Sequence, residues 1–197
     1  MGLKAIVFDF NGVFVQPKEP GILESLRQKT GTGKWIALSN YYINLIKFEE
    51  GALSPRGFWN RVFPCLGDED YQEHVEAEYE KPFGRDEQMY ALAEKLSGKL
   101  PLYCLSNSNF LQGKACRKQK LYSPFREFFL SHEIHNAKPF PGAFRSMLQH
   151  TKLRAGECIF VDDSFKNVAA ARLLGFRAIR FRGALQLEKK LRQMRVL

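Results

Sequence analysis

The stretch that decides the fold reads Ala5-Ile6-Val7-Phe8, followed directly by Asp9-Phe10-Asn11-Gly12-Val13. Four apolar residues ended by a polar residue and a glycine predict a strand that is buried on both faces. In open α/β sheets, ligands bind just beyond the carboxyl ends of such strands. Asp9 is therefore expected at a crevice, although an aspartate near a glycine is also ordinary turn chemistry.

Further strand-like and helix-like segments alternate along the chain. Strands are expected at Leu102–Leu105, Phe128–Leu130, Ile159–Val161 and Ala178–Phe181. Helices are expected at Arg85–Leu96, Leu111–Lys120, Pro141–His150 and Phe165–Leu174, with Gly175 as the stop after the last of them. This alternation predicts parallel strands joined by right-handed crossovers, and hence a doubly wound α/β sheet.

The interval between the first two strands is too long for a single crossover and contains no convincing strand. Helices are expected there at Gly21–Lys29, at Asn40–Glu50, after the start signal Ser54-Pro55, and at Asp68–Glu80. An all-helical insertion after a strand that carries a candidate nucleophile is the arrangement of a cap over an active site. We expect an α/β core of residues 1–15 and 86–197 and a helical cap subdomain of residues 16–85.

Composition and charge exclude several classes of protein. The chain has 197 residues, 45% of them hydrophobic, which indicates a folded domain and argues against disorder. No run of about 18 apolar residues exists to span a membrane. The N-terminus lacks the pattern of a signal peptide, so a cytoplasmic protein is expected. The four cysteines have no close pair, which argues against a disulfide or zinc framework.

The net charge of +9 is unevenly distributed. Residues 16–85 hold nine Lys/Arg and eleven Asp/Glu, whereas Arg172–Arg195 holds eight basic residues and one Glu. A basic face of this kind can bind nucleic acid. No aromatic platform or recognition motif accompanies it, so attraction of small anionic substrates is the preferred interpretation.

Polar residues follow four of the predicted strands. They are Asp9, the pair Ser106-Asn107, Lys138, and the pair Asp162-Asp163. All four sites are expected to converge at one edge of one sheet. These residue types suit phosphoryl transfer, because an aspartate can attack phosphorus and split hydrolysis into two steps. Mg²⁺ held by carboxylates would remove the repulsion between the two anions, and a lysine and a hydroxyl would stabilise the phosphoryl oxygens.

At this point the chain resembles the haloacid dehalogenase-like (HAD) superfamily over nearly its whole length. Four motifs occur in the family's order, and they are Asp9–Val13, Leu105-Ser106-Asn107, Ala137–Phe144 and Phe160–Asn167. The resemblance implies a Rossmann-like core, a small helical cap after the first strand, and Mg²⁺-dependent hydrolysis of a small phosphorylated substrate.

The resemblance also implies roles for individual residues. Asp9 matches the nucleophile, and Lys138 matches the lysine that balances charge at the nucleophile and the phosphate. Ser106 matches the phosphate-binding hydroxyl, with Asn107 beside it as a substrate-binding residue. Asp163 matches the main acidic metal ligand, with Asp162 as its neighbour. Asp9 and the backbone carbonyl of Asn11 would complete the Mg²⁺ site.

Asn11 departs from the family's phosphatase pattern, in which a second aspartate protonates the leaving group and activates water. An asparagine carries no transferable proton, and loss of a general acid/base typically costs a factor of about 10²–10⁴ in rate. We therefore expect weakened or specialised phosphatase activity. An inert relative that binds a phosphorylated ligand or a protein partner is the first alternative. A dehalogenase is the second, although its relatives usually have an aromatic residue at this position and need no metal.

Four other signals have simpler explanations. Leu38-Ser39-Asn40 mimics the second motif but is interpreted as a helix cap inside the insertion. The residues His132, Glu133 and His135 are interpreted as an exposed loop. Thr30–Lys34 faintly resembles a phosphate-binding loop but lacks its glycine spacing, so an inter-helix turn is expected. Phe58, Trp59 and Phe63 are expected in the hydrophobic core.

Overall fold

The computed structural model describes residues 2–197 and contains a parallel sheet of five strands. The strands are β1 (Ala5–Phe8), β2 (Leu102–Ser106), β3 (Glu127–Leu130), β4 (Cys158–Asp162) and β5 (Arg177–Arg180). Their order across the sheet is β3-β2-β1-β4-β5, which makes the architecture Rossmann-like and doubly wound. The five expected strands and the α/β fold class are confirmed. Strands β2, β1 and β4 are neighbours, so their carboxyl ends lie side by side.

Both faces of the central strands are buried, because successive side chains of a strand point to opposite sides. Ile6 and Phe8 of β1 belong to one apolar cluster, while Ala5 and Val7 belong to the other. Each face is covered by helices, so a continuous apolar run is the pattern that such a strand requires. The four cysteines are free, as expected, and all except Cys65 are buried.

Five helices lie between β1 and the rest of the core. They are α1 (Glu19–Thr30), α2 (Lys34–Glu49), α3 (Pro55–Val62), α4 (Asp68–Tyr71) and α5 (Ala77–Glu80), with a π-helical turn at Gln72–Glu76 between the last two. The start signal before α3 is confirmed, because the Ser54 hydroxyl accepts a hydrogen bond of 3.1 Å from Gly57 N. Phe58, Trp59 and Phe63 are buried, as expected, and Phe58 stacks on Phe48 at a ring-centroid distance of 4.1 Å.

Helix α2 begins six residues earlier than the sequence pattern indicated, at Lys34 instead of Asn40. The interpretation of Leu38-Ser39-Asn40 as a helix cap was therefore wrong, since these residues lie inside α2. The reason is that Trp35 and Ile36 are exposed on the first turn, so the apolar periodicity does not mark the start of the helix. The expected turn at Thr30–Lys34 is confirmed, and Gly31 has a φ of 67° there.

The chain leaves and re-enters the core through two adjacent segments. Val15 forms an antiparallel bridge with Arg85, and Gln16 N donates to the Gly84 carbonyl at 3.0 Å. Asp86 N donates to the Phe14 carbonyl at 2.9 Å. We refer to residues 16–85 between these segments as the insertion. Its division from the core as a separate cap subdomain stays a prediction.

The remaining helices are α6 (Glu87–Ser97), α7 (Phe110–Lys118), α8 (Ser131–Ile134), α9 (Pro141–Thr151), α10 (Phe165–Leu173) and α11 (Ala184–Gln193). The four helices expected in the core are confirmed as α6, α7, α9 and α10, and α11 is an additional one. The interpretation of His132, Glu133 and His135 as an exposed loop was wrong for His132 and Glu133, which lie in α8, although Glu133 and His135 are exposed. The short helix α8 turns the His132 side chain inward, where its ring packs against Gly113.

None of the helices within residues 2–197 combines the length and the apolar composition needed to cross a bilayer. The basic C-terminal stretch extends from the end of α10 through β5 and α11. One of its arginines reaches back toward the site described next, since Arg180 Nε donates to the backbone carbonyl of Asp163 at 3.2 Å.

Candidate active site

Three of the expected site residues meet in direct contact at the carboxyl edge of the sheet. Asp9 follows β1, Asp162 ends β4, and Lys138 lies in the loop after α8. Lys138 Nζ is 2.9 Å from Asp9 Oδ1 and 2.7 Å from Asp162 Oδ2. The two strands are adjacent, and Asp9 N continues their ladder by donating to the Val161 carbonyl at 2.8 Å. The sheet therefore places both carboxylates on one lysine.

Burial makes the charges of this cluster depend on one another. Lys138 is 2% exposed and Asp9 is 7% exposed. Burial, and then the charge of Asp162, raises the pKa of Asp9 well above its ordinary value, while Lys138 opposes both effects. Burial alone would lower the pKa of Lys138, but the charges of Asp162 and Asp9 outweigh it and hold that pKa above the usual value. Lys138 is thus a permanent cation between two carboxylates.

Asp162 is fully buried and saturated with donors. Its Oδ1 accepts from Ser164 N at 2.8 Å, and Asn167 Nδ2 lies 3.1 and 3.0 Å from its two oxygens. Lys138 supplies a further contact. A carboxylate held from several sides cannot reorient easily, so Asp162 fixes the position of the Lys138 ammonium between β4 and β1.

Asp163 has the opposite character, although it is the next residue. Its side chain is exposed, and within residues 2–197 no side chain donates a hydrogen bond to its carboxylate, which the backbone amides of Asp163 and Ser164 approach. Burial of part of the group, and then the charge of Asp162, raises the pKa of Asp163. Gly12, at a φ of 72°, leaves room for it, since a side chain at Gly12 would overlap the Asp163 carboxylate.

The cluster fits a hard divalent cation. Carboxylate oxygens of Asp9, Asp162 and Asp163 lie within 4.8 Å of one another. With all three ionised and one lysine bound, this group of four residues carries two uncompensated negative charges. Oxygen ligands of this type and charge are those that Mg²⁺ prefers. The Asp163 carboxylate is the exposed one of the three and has no side-chain partner, so it is the group best able to accept such a cation.

Asn11 is held by a second amide. Its Nδ2 donates to the Asn107 carbonyl at 3.1 Å and to Gln112 Oε1 at 3.3 Å, and its Oδ1 accepts from Gln112 Nε2. Gln112 lies on the first turn of α7 and is 1% exposed. The position after the nucleophile strand is therefore built around an amide-to-amide pair. Asn11 has no contact through which it could gain or lose a proton.

The polar side chains of the second motif, Ser106 and Asn107, make their hydrogen bonds within the protein. Ser106 is 1% exposed, and its hydroxyl donates to the Asn107 carbonyl at 3.2 Å. The Asn107 amide accepts from Lys138 N at 2.8 Å, and it donates to the Lys138 carbonyl at 2.9 Å and to Glu49 Oε2 at 2.8 Å. Both amide hydrogens of Asn107 are thus occupied, and its side chain holds the Lys138 loop in place. Glu49 lies at the end of α2, so the same amide ties the insertion to the core.

A cavity of about 700 Å³ opens between the sheet edge and the insertion. Its core side includes Asp9, Asn11 and Asp163, and its insertion side includes Glu19, Tyr41, Tyr42 and Glu49. A cavity of this size accommodates a small metabolite. The candidate nucleophile therefore lies at the base of a site whose far wall is supplied by the insertion.

The family model for haloacid dehalogenase-like hydrolases matches residues 3–175. The chain belongs to this family. HAD-like hydrolases share the order of motifs found here, and the match includes every residue of the cluster described above. Compared with the phosphatase pattern of the family, this hydrolase retains the carboxylates and the lysine and differs at Asn11.

Individual relatives agree with this assignment. A D-ribitol-5-phosphate phosphatase from Bacteroides thetaiotaomicron is 27% identical to this hydrolase over 184 residues, which cover 88% of this chain and 89% of the relative. A solved HAD family enzyme from the same organism, in complex with magnesium and inorganic phosphate, superimposes with a TM-score of 0.75 at 22% identity, covering 92% and 95% of the two chains. A 2-haloacid dehalogenase from Pseudomonas syringae pv. Tomato gives a TM-score of 0.65 at 18% identity, covering 91% and 86%. The fold by itself therefore does not separate a phosphatase from a dehalogenase.

Sequence reasoning missed three polar groups of this hydrolase. Asn167 was quoted within the fourth motif without a role, and its position five residues after Asp162 was the available signal. Gln112 and Glu49 gave no signal, because their partners lie 101 and 58 residues away along the chain.

Proposed function

We propose that this HAD-like hydrolase is a Mg²⁺-dependent phosphatase that acts on a small phosphorylated metabolite. The observation that carries the proposal is the Asp9–Lys138–Asp162 cluster, in which a candidate nucleophile touches a buried cation at the base of a cavity. The phosphatase relative and the solved neighbour with magnesium and phosphate support the same chemistry.

The proposed reaction has two steps. An oxygen of Asp9 attacks phosphorus, the bond to the leaving-group oxygen breaks, and an aspartyl phosphate forms. Water then attacks that phosphorus, the bond to Asp9 breaks, and inorganic phosphate leaves. Lys138 stabilises the negative charge on the phosphoryl oxygens and lowers the repulsion between carboxylate and phosphate. Ser106 and Asn107 are proposed to bind the phosphate. For Ser106 this requires its hydroxyl to turn from the Asn107 carbonyl, and Asn107 would donate its backbone N–H, because both of its side-chain amide hydrogens are occupied.

Mg²⁺ would be held by carboxylate oxygens of Asp9 and Asp163 and by the backbone carbonyl of Asn11, with Asp162 next to them. When bound, the ion would supply positive charge that neutralises the attacking carboxylate and the phosphate. Asp162 holds Lys138 in place through the contacts described above. Gly12 keeps the backbone close enough for Asp163 to face the site.

The cavity wall favours a hydroxylated leaving group. Besides its aromatic residues it presents Glu19, Glu49 and Asn109. Glu19 accepts from the Tyr79 hydroxyl at 2.7 Å and from Asn109 Nδ2 at 2.8 Å, which leaves its second oxygen available. Carboxylate and amide groups at a wall bind hydroxyls by hydrogen bonds. We therefore place a polyol or sugar phosphate first among the substrates, with the insertion acting as the cap that selects it.

The second candidate is a phosphate-binding protein without useful turnover. The Asn11–Gln112 pair favours it, since a pair of amides cannot transfer protons at the usual acid/base position. A dehalogenase is a weaker candidate, because it would have no use for an acidic cluster beside the nucleophile.

The experiment is a phosphate-release screen over sugar, polyol and aryl phosphates, with and without Mg²⁺. We expect Mg²⁺-dependent turnover that Asp9→Asn abolishes. The absence of turnover for every ester, together with phosphate binding measured by calorimetry, would select the binding protein instead. Chloride release from a 2-chloro acid without Mg²⁺ would select the dehalogenase.

A further inference from the structure

Asn11 stands where the family's phosphatases have a proton donor. Among the titratable groups of the insertion, Glu49 is connected to Asn11 by the shortest chain of hydrogen bonds. Its Oε2 accepts from Asn107 Nδ2 at 2.8 Å, and the backbone carbonyl of Asn107 accepts from Asn11 Nδ2 at 3.1 Å. A single residue thus links Glu49 to Asn11. Glu49 also forms part of the wall of the cavity that contains Asp9.

The two oxygens of Glu49 have different environments. Oε2 is fixed by Asn107, whereas Oε1 makes no hydrogen bond within residues 2–197. A general acid needs this arrangement, because one oxygen sets the orientation of the carboxyl group and the other remains available to carry the proton. Glu19 also has one bonded and one free oxygen, but it lies farther from Asn11, because two residues, Gln112 and Asn109, link them.

The surroundings of Glu49 keep both of its protonation states accessible near neutral pH. Burial raises the pKa of Glu49 to about 7, although the hydrogen bond from Asn107 lowers it. Among the charged groups that face it, Glu19 of α1 and Glu50 of α2 raise this pKa, and Lys138 of the loop after α8 lowers it. Tyr41 of α2 also faces Glu49, and the pKa of Tyr41 is raised by burial and by the charges of Glu19 and Glu49, so it stays neutral. His135, which directly follows α8, places its Nδ1 3.0 Å from the Glu50 carbonyl and does not contact the Glu49 side chain.

We propose that Glu49 performs the proton transfers that Asn11 cannot, so that the general acid/base of this enzyme comes from the insertion. The inference rests on the proposed phosphatase function. In the first step, the P–O bond to the leaving group breaks as Asp9 attacks, and the leaving oxygen takes the proton of the Glu49 carboxyl group. In the second step, Glu49 accepts a proton from the attacking water, while the bond between phosphorus and Asp9 breaks. Both products then leave, and Glu49 and Asp9 return to their initial states.

The test compares two substrates that differ in their need for a proton. Glycerol 3-phosphate has a poor alkoxide leaving group, whereas p-nitrophenyl phosphate has a stabilised phenolate that leaves without protonation. The variant Glu49→Gln can still accept the hydrogen bond from Asn107, so the link between insertion and core is kept. We expect kcat/KM for the alkyl ester to fall by a factor of about 10²–10⁴, the usual cost of losing a general acid. The aryl ester should lose little, because kcat/KM reports only the steps up to formation of the aspartyl phosphate.

The matched control is Glu50→Gln, which removes the same charge from the adjacent residue outside the cavity. Glu50 Oε1 accepts from Ala137 N at 3.3 Å, and a glutamine can accept that bond as well. The charge of Glu50 raises the pKa of Glu49, so the comparison is made well below pH 7, where Glu49 is protonated with or without that charge. At such a pH this variant should leave the ratio of the two rates unchanged.

The wild-type enzyme provides a second measurement that needs no variant. Its kcat/KM for the alkyl ester should decrease as pH rises through about 7, as Glu49 loses its proton, and this limb should be absent for the aryl ester. The proposal would be overturned if Glu49→Gln lowered kcat/KM by the same factor for both esters, or if kcat/KM for both esters decreased as pH rises through about 7. Either result would leave the proposed phosphatase function intact. No turnover of either ester by the wild type would overturn the phosphatase and the role of Glu49 together.

Discussion

The base of the cavity, which belongs to the core, and its wall, which belongs to the insertion, hold their charged groups in different ways. At the base, Asp162 and Lys138 are almost completely buried, and Asp9, Lys138 and Asp162 are each in contact with an opposite charge. At the wall, Glu49 is only partly buried and is held by a single hydrogen bond. The base therefore holds its carboxylates and its lysine in fixed positions, as binding of an anion and a metal requires. The wall offers a group whose protonation can change during a reaction.

The difference follows from the elements that carry these residues. The base is formed by adjacent strands of one sheet, whose spacing is set by backbone hydrogen bonds. The wall is formed by α1 and α2. The end of α2 reaches the core through a few side-chain contacts and the close approach of Gly51 to the His132 carbonyl. Rigid placement suits the nucleophile and its counter-ion, while a separate element can vary in sequence without disturbing them.

The largest effect is expected at the base, for Asp9→Asn. The substitution keeps the shape of the side chain but removes the nucleophile, so phosphate release should fall by about 10⁴-fold or more, as for other nucleophile deletions. The measurement is release of phosphate from p-nitrophenyl phosphate with Mg²⁺. Circular dichroism and urea unfolding must show that the variant is folded. Activity retained above one hundredth of wild type would exclude Asp9 as the nucleophile.

A second prediction concerns stability at the base. Lys138→Met leaves the buried Asp162 and Asp9 carboxylates without their cation, and breaking a buried pair from one side costs about 3–5 kcal/mol of unfolding free energy. The loss should be larger at pH 8 than at pH 5, because Asp9, whose pKa is raised by burial and by Asp162, releases its proton as pH rises. Urea unfolding without Mg²⁺ measures both values. The double variant Lys138→Met/Asp162→Asn should recover part of the loss, and a double variant no more stable than the single one would contradict this account.

A third prediction tests whether a carboxyl group at position 11, at the base of the cavity, can replace Glu49 as the proton donor. Asn11→Asp introduces a carboxyl group at the family's usual acid/base position, next to the Asn107 carbonyl and Gln112. In the Glu49→Gln background it should raise kcat/KM for glycerol 3-phosphate by up to about 10²-fold, within the range of general acid catalysis. In the wild-type background the gain should be smaller, because one proton donor is already present. Equal gains in both backgrounds would mean that the two positions act independently.

The smallest effect is expected in the insertion, away from the cavity. Ser54→Ala removes the acceptor for Gly57 N at the start of α3, and loss of such a cap costs about 1 kcal/mol of stability. Urea unfolding should detect this decrease, and Ser54→Asp, which can cap the helix in the same way, should restore most of it. If Ser54→Ala lowered the free energy of unfolding as much as Lys138→Met does, the insertion and the base would not differ in how their polar groups are held.

Much of this molecule could be predicted from local sequence. The five strands were located to within one residue, because a strand buried on both faces must be continuously apolar, and Ala5–Phe8 has that pattern. The convergence of Asp9, Lys138 and Asp162 followed from the rule that parallel strands present their carboxyl ends at one edge. The start of α2 was placed too late, since Trp35 and Ile36 are apolar but exposed and so distort the helical pattern.

The sequence by itself determined the fold class, the order of motifs and the absence of a proton donor at position 11, because each depends on residue type or on spacing within one segment. Only the tertiary structure decided that Gln112 holds Asn11 and that Glu49 reaches Asn107, contacts that join residues 101 and 58 positions apart. It also decided the unequal environments of Asp162 and Asp163, which are neighbours in sequence. Burial and hydrogen-bond partners depend on the packing of distant elements, and no pattern within a single segment encodes them.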